Sequence, residues 1–360
     1  MTDFEEVWTR EAKFVNMALN EFLDMKIEQV RKLSKIHVQY YENVKEYIMR
    51  GGKRLRPVLV ATGYKAIQKR LKEKHLYRAA CSVEILHNGS LLHDDLIDHD
   101  ETRRGGLTVH ALYREWHKKE IDADEKRAAD FGMTMAILGG DSLINLGAQA
   151  ISESHMSPEI TVRCLKLYED AFQDLVDGVL LEMMMVYEDN PTPETYLEMI
   201  RMKTAVLFEK SLLIGAAIGM ATDSQIDALS NFGIKVGQAF QIQDDILGTF
   251  GDEEVTGKPA DGDIREGKKT MLVLESYRRV SNEQKAVLNS LLGKDDMTND
   301  EVEQVRSIFK DSGALQAAKE KMESLLEEGQ KSLDSADPPL RPKSKEFLLT
   351  LSNFLVQRSY

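Results

Sequence analysis

At 360 residues, 42% hydrophobic and 30% charged, the chain can bury a sizeable core and is too apolar to be disordered. A net charge of −13 without any basic stripe excludes nucleic acid as a partner. Two cysteines, Cys81 and Cys164, rule out a disulfide framework and read as packing residues of a reducing cytoplasm. No signal-like apolar core opens the sequence, and the longest uncharged apolar run, 211–222, is too short to cross a bilayer. The expectation is a soluble, cytoplasmic protein with no membrane insertion.

From about Phe4 to Arg50, apolar residues recur at helical spacing: Phe14, Met17 and Ala18, then Val44, Tyr47 and Ile48. Gly51 and Gly52 break the pattern, and Pro57 can start the next helix. Residues 75–100 predict a helix that carries Val83, Leu86 and Ser90 down one side towards Asp94, with Gly105 and Gly106 ending it. Charged residues dominate 115–127, which reads as a solvated loop or short helix. Further helices are predicted over 128–152, 159–187, 192–221 (opened by the start signal NPTPE) and 223–247. Residues 248–267 are rich in glycine and charge and lack an apolar period, so they read as a long irregular loop of the kind that carries function. Helical patterns resume at Lys268 and break at 336–342. With no strand pattern of useful length, the fold class is all-α, a single large helical bundle around a central apolar cavity, with 1–360 as one domain.

Two aspartate clusters stand out, HDDLID at 93–98 and QDDILG at 243–248. Asp94 and Asp98 share one helix face, with Asp95 beside them. Such crowding of carboxylates is unfavourable without a cation, and hard oxygen ligands with room for water suit Mg²⁺. Two clusters of this kind at one cavity would hold Mg²⁺ around a diphosphate, as ionising a carbon–diphosphate bond requires. Basic residues suited to two separate diphosphates accompany them. Lys53 and Arg56 sit at a glycine-broken helix entrance, where backbone N–H groups already favour an anion. Arg103 and Arg104 follow Asp98, Lys203 and Thr204 lie mid-helix, and Lys258, Lys268 and Lys269 lie on the irregular loop or at its exit. Alone, each has a plainer reading: a solvated acidic face, surface charge, a snorkelling lysine, packing for Met183, Met184 and Met185, and a satisfied histidine for His87 or His93. Their joint occurrence favours chemistry.

The segments GGKRLRP, EILHNGSLLHDDLID…RRG, GGDSL, KTA, AFQIQDDILG and GKPADGDIREGKKT run in order across 50–270. Together they resemble trans-polyprenyl diphosphate synthases of the geranylgeranyl and farnesyl diphosphate synthase family, in an archaeal-type variant. The resemblance implies one polyprenyl synthetase domain with an isoprenoid synthase-like fold, a homodimer, and Mg²⁺ as cofactor. It implies head-to-tail condensation of isopentenyl diphosphate with an allylic diphosphate (dimethylallyl, geranyl or farnesyl). Asp94, Asp98 and Asp244 would ligate Mg²⁺ on the allylic diphosphate, with Asp95 and Asp245 in support. Arg103, Lys203, Lys258 and Lys268 would grip that diphosphate; Lys53, Arg56, His87 and Arg104 match the isopentenyl diphosphate site. Thr204 and Gln241 would stabilise the developing carbocation.

Two departures are visible. Gly248 stands where many relatives have a third aspartate, leaving Asp252 as the substitute, and 176–183 lacks a glutamine that many relatives carry. The position five before Asp94, an aromatic floor in makers of short products, is Gly89, followed by Ser90; products of geranylgeranyl length or longer are expected. A class I terpene cyclase would not need Lys53, Arg56 and Arg104. A non-catalytic subunit of a heteromeric synthase would have lost more of the acidic and basic residues.

Overall fold

The structure, a computed structural model, describes residues 3–68, 73–188, 191–251 and 261–356. It is helical almost throughout, as the apolar periodicity requires. Its contacts group the chain into two compact units, residues 1–169 with 211–221, and residues 170–210 with 222–360.

The first unit opens with α1 (Asp3–Val30) and α2 (Lys35–Met49). The single helical stretch expected to Arg50 is therefore two helices, because Ser34 takes an extended conformation and caps α2 by accepting from the His37 N–H. Next come α3 (Leu55–Ile67) and α4 (Glu73–Ile97). α4 stops before the glycines expected to end it. Gly105 instead turns, at φ +76°, between two antiparallel two-residue strands, β1 (Thr102–Arg103) and β2 (Gly106–Leu107), too short to leave an alternating pattern. α5 (Val109–Ile121) runs through most of the segment read as a solvated connection. Its first turns carry the buried Val109, His110, Ala111 and Tyr113, and its charges, Arg114 to Glu120, follow in the later turns.

α6 (Glu125–Ser152) explains the GGDSL motif. A Cβ on Gly140 would lie 2.0 Å from His93 Nε2, and one on Gly139 would lie 2.7 Å from Leu92 Cδ2. These glycines let α6 pass directly against the part of α4 that carries the first aspartates. His93 is thereby half-buried, its ring nitrogen 3.3 Å from the Ile137 carbonyl, in keeping with a satisfied packing histidine.

The chain continues through α7 (Pro158–Met185), α8 (Pro193–Ile200) and α9 (Val206–Ile218). The stretch expected as one helix, 192–221, is helical from Pro193 to Ile218, with a π-helical turn, Arg201–Ala205, inside it. Such turns are rare and concentrate at functional sites. α10 (Asp223–Phe250) begins with a capping box, Thr222 and Gln225 each bonding the other's backbone N–H.

In the second unit, Tyr196, Met199 and Ile200 of α8 and Ala239, Ile242 and Ile246 of α10 form a core with later elements. These are α11 (Gly262–Arg265), α12 (Met271–Tyr277), α13 (Asn282–Leu291), α14 (Asn299–Asp311) and α15 (Ala314–Ser332). After the expected break near 336–342, α16 (Pro342–Val356) follows.

Met185 joins the core, whereas Met183 and Met184 are exposed, so of the two expected roles, core or cavity lining, the core role holds for Met185 alone. Cys81 and Cys164 are buried as expected. Among the described residues, no helix is long and apolar enough to cross a membrane.

Candidate active site

In the first unit, the end of α4 sorts its three aspartates by exposure. Asp94 is half-buried and Asp98 exposed, one helical turn apart, their turn closed by Asp98 N–H donating to the Asp94 carbonyl at 2.8 Å. Asp95 faces inward. The Tyr47 hydroxyl donates to its Oδ2 at 2.7 Å and Arg103 Nε to its Oδ1, while Arg103 Nη2 reaches Asp100 at 3.2 Å. Burial keeps the Asp95 carboxyl above its ordinary range despite these donors.

The second unit repeats this arrangement on α10. Asp244 is half-buried and Asp245 buried, and again a buried tyrosine, Tyr196, donates to the inner carboxylate, at 2.6 Å. Gln241 takes the remaining oxygen of Asp245 at 2.8 Å and accepts the Thr204 hydroxyl at 2.7 Å. These partners orient the Gln241 amide and point the Thr204 proton at it, so the Thr204 lone pairs face elsewhere. Burial, then the charges of Asp263 and Asp244, push Asp245 up to about 8. Neither tyrosine was singled out from sequence, since each is distant along the chain from the aspartate it holds. Tyr196→Phe is expected to lower folding stability by about 1–3 kcal/mol, measured by urea unfolding, because it strips a donor from a buried carboxyl.

Asp263 also went unassigned. A Cβ on Gly248 would lie 2.9 Å from Asp263 Oδ2, so this carboxylate stands where a third aspartate side chain would begin. Asp252, the expected substitute, lies outside the described residues, as does Lys258.

The other described basic residues lie in both units. Lys203 lies in the π-helical turn with its amine paired to Glu182. Gly178 permits this turn, as its Cβ would lie 2.6 Å from the Lys203 nitrogen. Lys268 Nζ reaches Glu266 at 2.7 Å and Asp263 at 3.7 Å.

In the first unit, Arg104 Nη1 donates to the Gly51 carbonyl at 3.2 Å, placing it beside the loop that carries Lys53. Half-buried Arg56 is in the first turn of α3. Burial, then Arg56 and Arg104, hold the half-buried His87 well below its ordinary pKa, so its imidazole is neutral near pH 7. Arg56, His87 and Arg104 therefore share one basic neighbourhood within the first unit.

Among the described residues, no three His, Cys, Asp or Glu side chains close on one point as a ready-made metal cage. A cation that keeps its waters, such as Mg²⁺, would need only one or two carboxylates besides substrate phosphates. The mutual repulsion at Asp244, Asp245 and Asp263 is what a divalent cation would relieve. The donor set fits.

The polyprenyl synthetase family model matches residues 38–309. The chain is 31% identical over 362 residues to the geranylgeranyl diphosphate synthase of Methanosarcina mazei, covering 100% of this chain and 99% of that one. It is 33% identical over 314 residues to the geranylfarnesyl diphosphate synthase of Aeropyrum pernix, covering 86% and 92%. The geranylgeranyl pyrophosphate synthase of Corynebacterium glutamicum, solved with isoprenyl diphosphate and magnesium, superposes with a TM-score of 0.89 at 28% identity, covering 99% and 100%. The glycine-seated helix pair, the twin aspartate ends and the matching family model agree: the chain belongs to the polyprenyl synthetase family and is a prenyltransferase.

Proposed function

We propose that the chain condenses isopentenyl diphosphate with an allylic diphosphate, from dimethylallyl to farnesyl, giving geranylgeranyl diphosphate or a longer product. The observation that carries this reading is that the chain holds two acidic clusters of like construction, one in each unit, together with a basic neighbourhood of Arg56, His87 and Arg104 in the first. A terpene cyclase has one diphosphate to bind; a condensing enzyme has two. In this reading Asp94, Asp98 and Asp244 hold Mg²⁺ on the allylic diphosphate, while Asp95 and Asp245, engaged by tyrosines, fix the helix ends that present them. Bound there, Mg²⁺ would neutralise charge on the departing diphosphate.

Arg103, Lys203, Lys258 and Lys268 grip the same diphosphate, with Lys203 and Lys268 exchanging carboxylate partners for phosphate oxygens. Lys53, Arg56, His87 and Arg104 hold isopentenyl diphosphate, His87 as a neutral N–H donor. Thr204 offers oxygen lone pairs to the allylic cation, its proton being committed to Gln241. The double bond of isopentenyl diphosphate attacks the cation, and the proton then lost passes to the released diphosphate. Apolar surroundings keep water from the cation.

We further propose a homodimer acting in the cytoplasm. Met133, Ile137 and Leu138 form an exposed apolar stripe along α6, which a second copy would cover.

Incubating the purified chain alone with Mg²⁺, isopentenyl diphosphate and each allylic starter tests the reading. Linear diphosphates longer than the starter support it. Cyclic hydrocarbons would indicate a cyclase, and no product without a partner would indicate a subunit.

Product length is better tested at Ser90 than at Gly89. Gly89 does not border open space: a Cβ there would lie 3.1 Å from Leu143 Cβ and 3.2 Å from the Gly140 carbonyl of α6. Gly89→Phe would force α4 off α6, so impaired folding is expected before any change in chain length. Half-buried Ser90, the next residue round the helix, is the better position. Ser90→Phe is expected to shift the main product down by one or more isoprene units, read by chromatography of the dephosphorylated alcohols. An unchanged distribution would remove Ser90 from the floor.

A further inference from the structure

GGKRLRP contains an arginine that the functional reading leaves unused. Arg54 is 3% exposed and takes a left-handed backbone, φ +52°, just before α3. Its guanidinium is wholly engaged inside the first unit: Nη1 to Glu84 Oε1 at 2.7 Å, Nε to Asn16 Oδ1 at 2.8 Å, Nη2 to the Ile48 carbonyl at 2.9 Å. Both members of the Arg54–Glu84 pair are almost fully buried, 2% and 4% exposed at the side chain. Arg54 is therefore not a ligand for substrate. Its charge is neutralised within the protein, and its fork ties the loop before α3 to α4.

One turn along α4 from Glu84, Asn88 extends this network. Asn88 is fully buried, and its Nδ2 donates to the Glu84 carbonyl at 2.7 Å and towards the Glu84 carboxylate at 3.4 Å. Its Oδ1 accepts from Arg104 Nη1 at 3.4 Å. A carbonyl on one side and an arginine on the other allow only one orientation of the amide. Arg104 itself has a left-handed backbone, φ +50°, and the loop opposite it contains Gly51 and Gly52 at φ +128° and +112°. The glycines adopt their angles freely, whereas that of Arg104 persists only where its surroundings hold it. Both Arg104 contacts, to Asn88 and to the Gly51 carbonyl, use the same nitrogen, Nη1, so Nε and Nη2 can close on phosphate oxygens.

We propose that Asn88 is a positioning residue: with Glu84 and Arg54 it forms a buried polar brace that orients Arg104 towards the diphosphate of isopentenyl diphosphate. The inference rests on the reading of Arg104 as part of that site. Asn88 touches no substrate and acts through Arg104 alone.

The test is a double-mutant cycle in steady-state kinetics on the full chain with Mg²⁺ and both substrates. Asn88→Ala is expected to raise KM for isopentenyl diphosphate about tenfold, leaving kcat and the allylic KM within about twofold. In an Arg104→Ala background, Asn88→Ala should add less than about twofold, because the residue through which it acts is gone. If Asn88→Ala fails to fold, Asn88→Ser keeps a polar group too short to reach Arg104 and should give the same split. Equal increases in both KM values, or additive effects of the two substitutions, would overturn the brace and leave a structural role. If Arg104→Ala itself left the isopentenyl diphosphate KM unchanged while Asp244→Ala abolished turnover, the site assignment would fail, and the proposal with it.

Discussion

Asp94→Ala and Asp244→Ala are each expected to lower kcat by about 10²–10³-fold, the scale on which loss of one preorganised charge-stabilising group is felt. Their neighbours should behave differently. Asp95 and Asp245 are turned into the protein and held by Tyr47 and Tyr196. Asparagine at either position keeps an acceptor for the tyrosine hydroxyl, and in this reading both residues only support the cation that their outer neighbours would hold. Asp95→Asn and Asp245→Asn should therefore lose less activity than the alanine variants at 94 and 244. They should retain more of their rate at saturating Mg²⁺. Rates measured across a Mg²⁺ titration check this: the outer-aspartate variants should need more Mg²⁺ for half-maximal rate, the inner-aspartate variants little more than the parent. Equal losses at all four positions would remove the division of labour between outer and inner carboxylates.

The second large effect is on folding. Arg54→Met strands Glu84 as a buried charge with its partner gone, and also leaves Asn16 and the Ile48 carbonyl without their donor. Breaking one side of such a pair costs about 3–5 kcal/mol, whereas replacing both members with apolar residues of similar volume is often near neutral. Arg54→Met is thus expected to unfold at a much lower urea concentration than the parent, and Arg54→Met with Glu84→Met to recover most of the loss. An unchanged midpoint for the single variant would mean that the pair is not braced as its burial indicates. The recovered double variant should still bind isopentenyl diphosphate poorly, because specificity of orientation, not net stability, is what a buried ion pair supplies here.

The legible parts of this protein are those in which residue type and chain spacing alone carry the physics. Two aspartate clusters, each after an apolar-periodic run and accompanied by basic residues, together favour a cation site before the fold is known, and Thr204 with Gln241 entered through the family resemblance. Helix boundaries shifted where local chemistry was subtle. Ser34 divides the opening helix, and the π turn at Arg201–Ala205 has no marker in composition. The tyrosines were illegible for a different reason. Tyr47 and Tyr196 precede their aspartates by 48 and 49 residues, so only the folded chain brings them together. Arg54 carried no assignment in GGKRLRP, and its burial separates it from the half-buried Arg56. Gly89 misled because a helix has two sides: absence of a side chain reads equally well as open space or as close approach, and here α6 fills it.

The most direct measurement is turnover of isopentenyl diphosphate with geranyl diphosphate by the purified chain, before and after an excess of chelator. Elongation is predicted to fall to background on chelation and to return in full when Mg²⁺ is restored. Undiminished elongation in the chelated sample would contradict the assignment of the aspartate clusters to a divalent cation.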